Sequence, residues 1–236
     1  RDEREFNIPA ITSIPQVANT QPRRPTVEED TGEEITFEEV ERCFSKANKK
    51  SAAGPDKITL MVYYKSKEIR KWIPKLFERL RVLQKTPKNW KMGEIQLVYK
   101  KGDKSEPANW RPITLLKALY KLWTAVLNRR LLLYAKKIRE ECPDRPIFSH
   151  EQRGFRPEIS GCTDNAAALR RIEDLAMRSG NKKLWILFID FKNAFGSPDH
   201  RLLFDIMEWF GIPAYITNIL KSAYDGSTLK IRTGKG

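Results

Sequence analysis

One aspartate in this sequence stands where an aspartate is costly. Asp190 closes the apolar run Leu184-Trp185-Ile186-Leu187-Phe188-Ile189. A carboxylate at the end of a hydrophobic strand has to be paired, hydrogen-bonded or bound to a metal. Phosphoryl transfer supplies a use for one: two magnesium ions about 3.5–4 Å apart hold the attacking and leaving oxygens, and carboxylates from adjacent strands hold the ions. The plainer alternative is a strand-end Asp that caps the following turn.

Two further clusters could handle phosphates. In Leu97-Val98-Tyr99-Lys100-Lys101-Gly102-Asp103, followed by Asn109-Trp110-Arg111-Pro112-Ile113, a strand leads into a turn with two lysines. Lys as a mobile point charge and Arg111 as a planar fork could close over a triphosphate. A lysine-rich hairpin tip is also commonly just solvated. In Glu151-Gln152-Arg153-Gly154-Phe155-Arg156-Pro157, two arginines flank Gly-Phe. They could grip a backbone phosphate while Phe155 stacks on a base. Phe155 could equally anchor a core. In Ser160-Gly161-Cys162-Thr163-Asp164-Asn165, Thr163 or Asp164 suits the N-cap of the next helix.

The surrounding pattern must position these residues. Residues 1–34 are rich in Pro, Thr and acids and read as an extended leader or linker. A helix then starts at a capping box of Thr36 and Glu39, with an apolar stripe of Phe37, Val40, Phe44 and Ala47. It ends near Ala52-Ala53-Gly54-Pro55-Asp56, which demands a turn. Helical patterns follow at about 73–83, 115–135, 164–177, 198–210 and 214–223. Residues 94–99 alternate as a strand, 184–191 read as a buried strand, and 228–232 as one more. Helices and strands without strict alternation indicate an α+β fold.

The chain has 236 residues and a net charge of +14. Residues 1–34 hold four arginines against eight acids, a net of −4, so the remainder carries +18. That body suits a polyanionic partner, most simply nucleic acid. No apolar run approaches the roughly 20 residues of a membrane span. The N-terminus has no signal-peptide character. It lacks a Met and reads as an internal fragment. Cys43, Cys142 and Cys162 fit neither a disulfide framework nor a zinc site, so a reduced, intracellular setting is expected. Two histidines, His150 and His200, are too few for imidazole-based metal chemistry.

Taken in order, these segments resemble the reverse transcriptases of non-LTR (LINE-type) retrotransposons. Ala52-Ala53-Gly54-Pro55-Asp56 is similar to the motif that opens the fingers. Lys100-Lys101-Gly102-Asp103 with Asn109-Trp110-Arg111-Pro112-Ile113-Thr114-Leu115 and Tyr120-Lys121-Leu122 is similar to the fingers signature. Gln152-Arg153-Gly154-Phe155 with Thr163-Asp164-Asn165 resembles an insertion shared with group II intron enzymes. Asp190-Phe191-Lys192-Asn193-Ala194-Phe195 with His200 and Leu203 resembles the first catalytic palm motif.

The resemblance implies a right-hand polymerase. Its parts would be a leader at 1–34, fingers at 35–183 and the start of an incomplete palm at 184–236, helix-rich with short antiparallel strands. Asp190 and the Phe191 carbonyl would hold Mg2+, with Mn2+ as a substitute. Phe195 would exclude a ribose 2′-OH, and Arg111 with Lys100 or Lys101 would hold the dNTP triphosphate. Gly154, flanked by Arg153, Phe155 and Arg156, would lie against template RNA. The implied partners are template RNA, primer or target DNA, dNTPs and the element's own RNA as a ribonucleoprotein. The implied activity is RNA-directed DNA synthesis, target-primed, in the nucleus and not at a membrane.

Three features depart from the family pattern. Gly196 stands where an Asp usually follows Ala-Phe, and Lys57 where Gly usually follows Pro-x-Asp. The second catalytic motif, an aromatic and a small residue before two aspartates, does not occur in this sequence, so this chain is not expected to polymerise by itself. The competing reading is a catalytically inactive fingers fragment that binds RNA. A viral RNA-dependent RNA polymerase is disfavoured, because Phe195 would reject ribonucleotides.

Overall fold

A computed structural model describes residues 32–143, 146–156, 159–179, 184–191 and 194–232. The expected leader at 1–34 lies almost wholly outside the described residues, as do Pro157, Lys192 and Asn193. The chain divides into two compact units, one of residues 1–134 with 201–236 and the other of residues 135–200.

The first unit begins with α1, Phe37–Lys46, where Thr36 caps the helix by accepting from the Glu39 N–H at 3.2 Å. The capping box is half made. Glu39 does not return to the cap; its carboxylate is buried and accepts from Arg130 at 2.9 and 2.7 Å, with Arg129 at 3.6 Å. Phosphate-like pairing of a fork with a carboxylate is the stronger bond, so tertiary contact wins over the local motif. Burial works against the Arg130 charge, but the hydrogen bonds and charge of Glu39 outweigh it and hold its pKa above the ordinary arginine value.

Helix α2 spans Leu60–Lys65, α3 Lys67–Leu83, α4 Ala118–Glu141 and α7 Ala214–Tyr224. Helix α2 has no counterpart among the expected helices, α3 begins before the expected 73, and the helix expected over 115–135 begins after the strand residue Leu115 and runs on to Glu141. Val40 and Phe44 of α1, Ile73 and Phe77 of α3, Leu122 and Trp123 of α4, and Ile216 and Ile219 of α7 form one buried core. Phe77 sits at its centre, 5.0 Å from the Trp123 ring and edge-on to Trp90 at 6.4 Å. Each such fully buried side chain contributes about 1.5–3 kcal/mol of burial.

A three-stranded sheet lies beside this core. Its central strand β1, Met92–Tyr99, pairs antiparallel with β2, Trp110–Leu115, in register from Glu94 with Leu115 to Tyr99 with Trp110. The third strand β3, Thr228–Ile231, runs parallel to β1, so the sheet is mixed where short antiparallel strands were expected. Parallel pairing needs a long crossover, and α7 supplies its return: Thr86 N–H donates to Ser222 at 3.1 Å, and Lys91 donates to the Asp225 carbonyl at 2.9 Å. The α+β class holds. Gly93 is buried between the outer strands, where a Cβ would lie 2.9 Å from both Leu229 and Thr114.

In the second unit α5 spans Gly161–Arg178; α6, His200–Trp209, begins at its boundary and lies mostly in the first unit. The N-cap position of α5 is Ser160, which makes no side-chain cap bond; Thr163 and Asp164 lie inside the first turn of a helix that starts earlier than expected, and Asp164 pairs with Arg153. Residues 184–191 are not the expected buried strand. They have no strand pairing among the described residues, and Trp185 is 92% exposed. A run buried on both faces needs neighbouring strands and covering layers, and the described residues provide neither.

Candidate functional site

The β1–β2 hairpin is built to hold its tip in one shape. Lys100 N–H donates to the Asn109 carbonyl at 2.8 Å, closing the loop. Asn109 Nδ2 donates to the Asp103 carbonyl at 2.9 Å, and Trp110 Nε1 to the Lys104 carbonyl at 2.9 Å. The Tyr99 hydroxyl donates to the Gly102 carbonyl, and the Tyr99 and Trp110 rings meet edge-on at 5.5 Å. Gly102 has φ +94, and a Cβ there would approach the Asn109 amide to 2.7 Å. Only Gly meets both demands. Asp103 accepts from the Ser105 N–H, which holds its carboxyl below the usual range.

On this frame Lys100, Lys101 and Arg111 are all exposed, with Arg111 opposite Val98 on β2. The hairpin thus brings the three sequence-predicted cations together on one element. The staple itself is made by Asn109, Trp110 and Tyr99, and the aromatic and amide residues around the Gly turn are its signal in the sequence.

The base of the hairpin meets the turn at 52–56. Gly54 abuts the chain at Leu116, where a Cβ would fall 2.4 Å from the Leu116 carbonyl carbon. Lys121 Nζ donates to the Ala52 carbonyl at 2.9 Å, and burial pushes its ammonium pKa down. Two motifs far apart in sequence are therefore one structural joint.

In the second unit both expected template-side arginines also make contacts within the protein. Arg153 is ion-paired with Asp164 at 3.1 Å, and Gly161 packs against its carbonyl, where a Cβ would lie 2.9 Å away. Arg156 donates to the Gln152 carbonyl at 3.3 Å and the Ser149 carbonyl at 3.5 Å. Both arginines stitch the loop, and part of their donor capacity is spent inside it. Gly154 is loosely surrounded, a Cβ there meeting only the Gln152 amide at an ordinary contact distance of 3.8 Å. Phe155 is no core anchor: it has φ +61, is 90% exposed, and meets the Phe195 ring edge-on at 6.0 Å. The residue expected against the template and the residue expected to gate the sugar are thus in contact.

Asp190 and Phe191 are exposed on the unpaired segment. Among the described residues no group of three or more His, Cys, Asp or Glu side chains gathers where it could hold a metal ion. One carboxylate and one carbonyl are fewer protein donors than a two-metal centre takes. These residues alone do not complete such a site.

Residues 98–235 match the family model described as reverse transcriptase (RNA-dependent DNA polymerase). The chain belongs to the reverse transcriptase family. Among curated proteins it is similar to the Pol polyprotein of the type-1 retrotransposable element R2 of Popillia japonica, 27% identical over 205 residues, covering 86% of this chain and 26% of that protein. It is 29% identical over 150 residues to the probable RNA-directed DNA polymerase of transposon BS of Drosophila melanogaster, covering 62% of this chain and 15% of that protein. The X-element polymerase of the same fly is 28% identical over 165 residues, 68% of this chain and 17% of its own length. The expected kinship with non-LTR retrotransposon reverse transcriptases is borne out. The chain spans about a quarter or less of these relatives. No helix among the described residues is long and apolar enough to cross a membrane.

Proposed function

We propose that this chain is the fingers and first palm segment of a polymerase that copies RNA into DNA by target-primed synthesis. The observation that carries the reading is the stapled hairpin tip, which presents Lys100, Lys101 and Arg111 together within the matched family region. Arg111 forks onto the triphosphate of an incoming dNTP, and either lysine adds a point charge. Phe195, buttressed by Phe155, excludes the ribose 2′-OH. The loosely surrounded Gly154 admits template backbone. Template RNA, primer or target DNA and the element's RNA are the macromolecular partners, in the nucleus.

Asp190 and the Phe191 carbonyl are the donors we assign to Mg2+, or Mn2+ in its place, with the other carboxylates absent from the described residues. When bound, such ions stabilise charge on the attacking and leaving oxygens. The second reading, an RNA-binding fragment without chemistry, draws on the solitary position of Asp190. Primer extension by the complete enzyme separates them. Asp190→Asn keeps the shape and removes one charge, so synthesis should collapse while RNA binding persists. Near-normal extension by Asp190→Asn would return Asp190 to an ordinary exposed carboxylate.

A further inference from the structure

Helix α3 carries a second organised face. Ile73, Phe77 and Leu80 point into the core. On the outer side Lys67, Lys71, Lys75 and Arg79 follow at four-residue intervals, and at 3.6 residues per turn they form one basic ladder. Beside the ladder, Ile69, Trp72, Leu76 and Leu83 make an exposed apolar stripe, with Trp72 64% exposed. Lys75 Nζ lies 4.6 Å from the Trp72 ring centroid and joins the two. Glu68, bridged to Lys71 at 3.0 Å, is the one acid among the exposed positions of α3.

The chemistry of this face selects its occupant. Bases stack on aromatic rings, but three of the four stripe residues are aliphatic. A polypeptide carrying both acids and apolar side chains fits both halves. The chain contains one in residues 1–31, outside the described residues. Glu28, Glu29 and Asp30 stand next to the body, and Phe6, Ile8, Ile11, Ile14 and Val17 lie further back.

The point of attachment is also right. Ile35 N–H donates to Glu78 of α3 at 3.1 Å, and Arg130 holds the Glu33 carbonyl at 2.8 Å. Glu78 directly precedes Arg79, the last rung of the ladder. Along the helix axis Trp72 is about 9 Å from Glu78 and Ile69 about 14 Å, at 1.5 Å per residue. An extended chain covers such spans in about three to five residues. The acids would reach the ladder first and the isoleucines the stripe beyond.

We propose that residues 1–31 dock on the outer face of α3, with Glu28, Glu29 and Asp30 against Lys71, Lys75 and Arg79, and the leader's isoleucines on Ile69, Trp72 and Leu76. The test uses the full chain with a photo-crosslinking residue in place of Trp72 or, separately, Leu76, at high dilution. Mass spectrometry should find an intramolecular link to a peptide within residues 1–31 from both positions. The link should be lost in Lys71→Glu/Lys75→Glu/Arg79→Glu and return when Glu28→Lys/Glu29→Lys/Asp30→Lys is added, with circular dichroism unchanged throughout. No leader adduct, an adduct joining two copies, or one formed only with added RNA would each overturn the proposal.

Discussion

The rings of Phe155 and Phe195 meet edge to face with centroids 6.0 Å apart, although both side chains are almost fully exposed. Edge-to-face pairs are worth about 0.5–1.5 kcal/mol beyond area burial. If Phe195 gates the sugar, Phe155 sets where its ring stands. In the complete enzyme Phe195→Val should raise the ratio of rNTP to dNTP incorporation. Phe155→Ala should raise it less, by at most about tenfold, the equivalent of roughly 1.4 kcal/mol. Primer extension with both substrate sets measures the two. Unchanged discrimination in Phe195→Val would remove the gate assignment, and Phe155 would then be a template contact only.

The hairpin gives a kinetic prediction. If Arg111 forks onto the triphosphate, Arg111→Ala in the complete enzyme removes that charge-assisted contact whatever the base. Hydrogen bonds to charged groups are worth about 1.5–3 kcal/mol. KM for every dNTP should therefore rise roughly ten- to a hundredfold. Lys101→Ala should act in the same direction more weakly, since Lys100 adjoins it. A change in RNA affinity with dNTP kinetics intact would reassign the tip to template binding.

What the sequence displayed and what it hid divide along physical lines. Periodic helices, the alternating β1 and the turn at Gly102 depend on neighbours in the chain, so their residue types announced them. The partners of Glu39 and Arg153 do not. Glu39 leaves half of its capping box unmade to pair with Arg130, and Arg153 pairs with Asp164, in each case with a side chain from elsewhere in its unit. The run 184–191 shows the converse. Its composition specifies a buried strand, but burial is a property of what surrounds a segment, and among the described residues nothing pairs with it. The parallel direction of β3 was equally invisible, because it depends on the path of the crossover and not on the four residues of the strand.

Acid should loosen the joint between Ile35 and α3. Glu78 pairs with Arg81 at 2.6 Å and accepts from the Ile35 N–H, and these bonds lower its pKa. A lowered folded value contributes stability that is complete above the unfolded carboxylate pKa of about 4.3. It is lost as pH falls below that through the folded value. Urea unfolding of the chain should therefore show stability declining below about pH 4.3. Glu78→Gln should lower stability at neutral pH and flatten that decline. An identical acid slope in wild type and variant would place the acid sensitivity elsewhere.

Lys57 occupies a backbone conformation that its side chain resists. It has φ 58, and the turn around it is fixed at both ends: Lys57 N–H donates to the Gly54 carbonyl at 2.9 Å, and Asp56 accepts from the Ile58 N–H at 3.2 Å. Gly54 cannot yield either, being pressed against Leu116. The strain therefore stays at position 57, where the family pattern has Gly. A left-handed residue with a Cβ costs about 1–2 kcal/mol. Glycine removes that cost but gives the unfolded chain about 0.5–1 kcal/mol more entropy. Lys57→Gly should thus stabilise the chain by roughly 0.5–1 kcal/mol, the difference of those two terms. Lys57→Val should destabilise it, since a β-branched side chain tolerates this region worst. Urea midpoints at neutral pH order the three proteins as Gly, wild type, Val. A Val variant as stable as wild type would mean that the turn relaxes out of the left-handed region, and the strain account of Lys57 would fail.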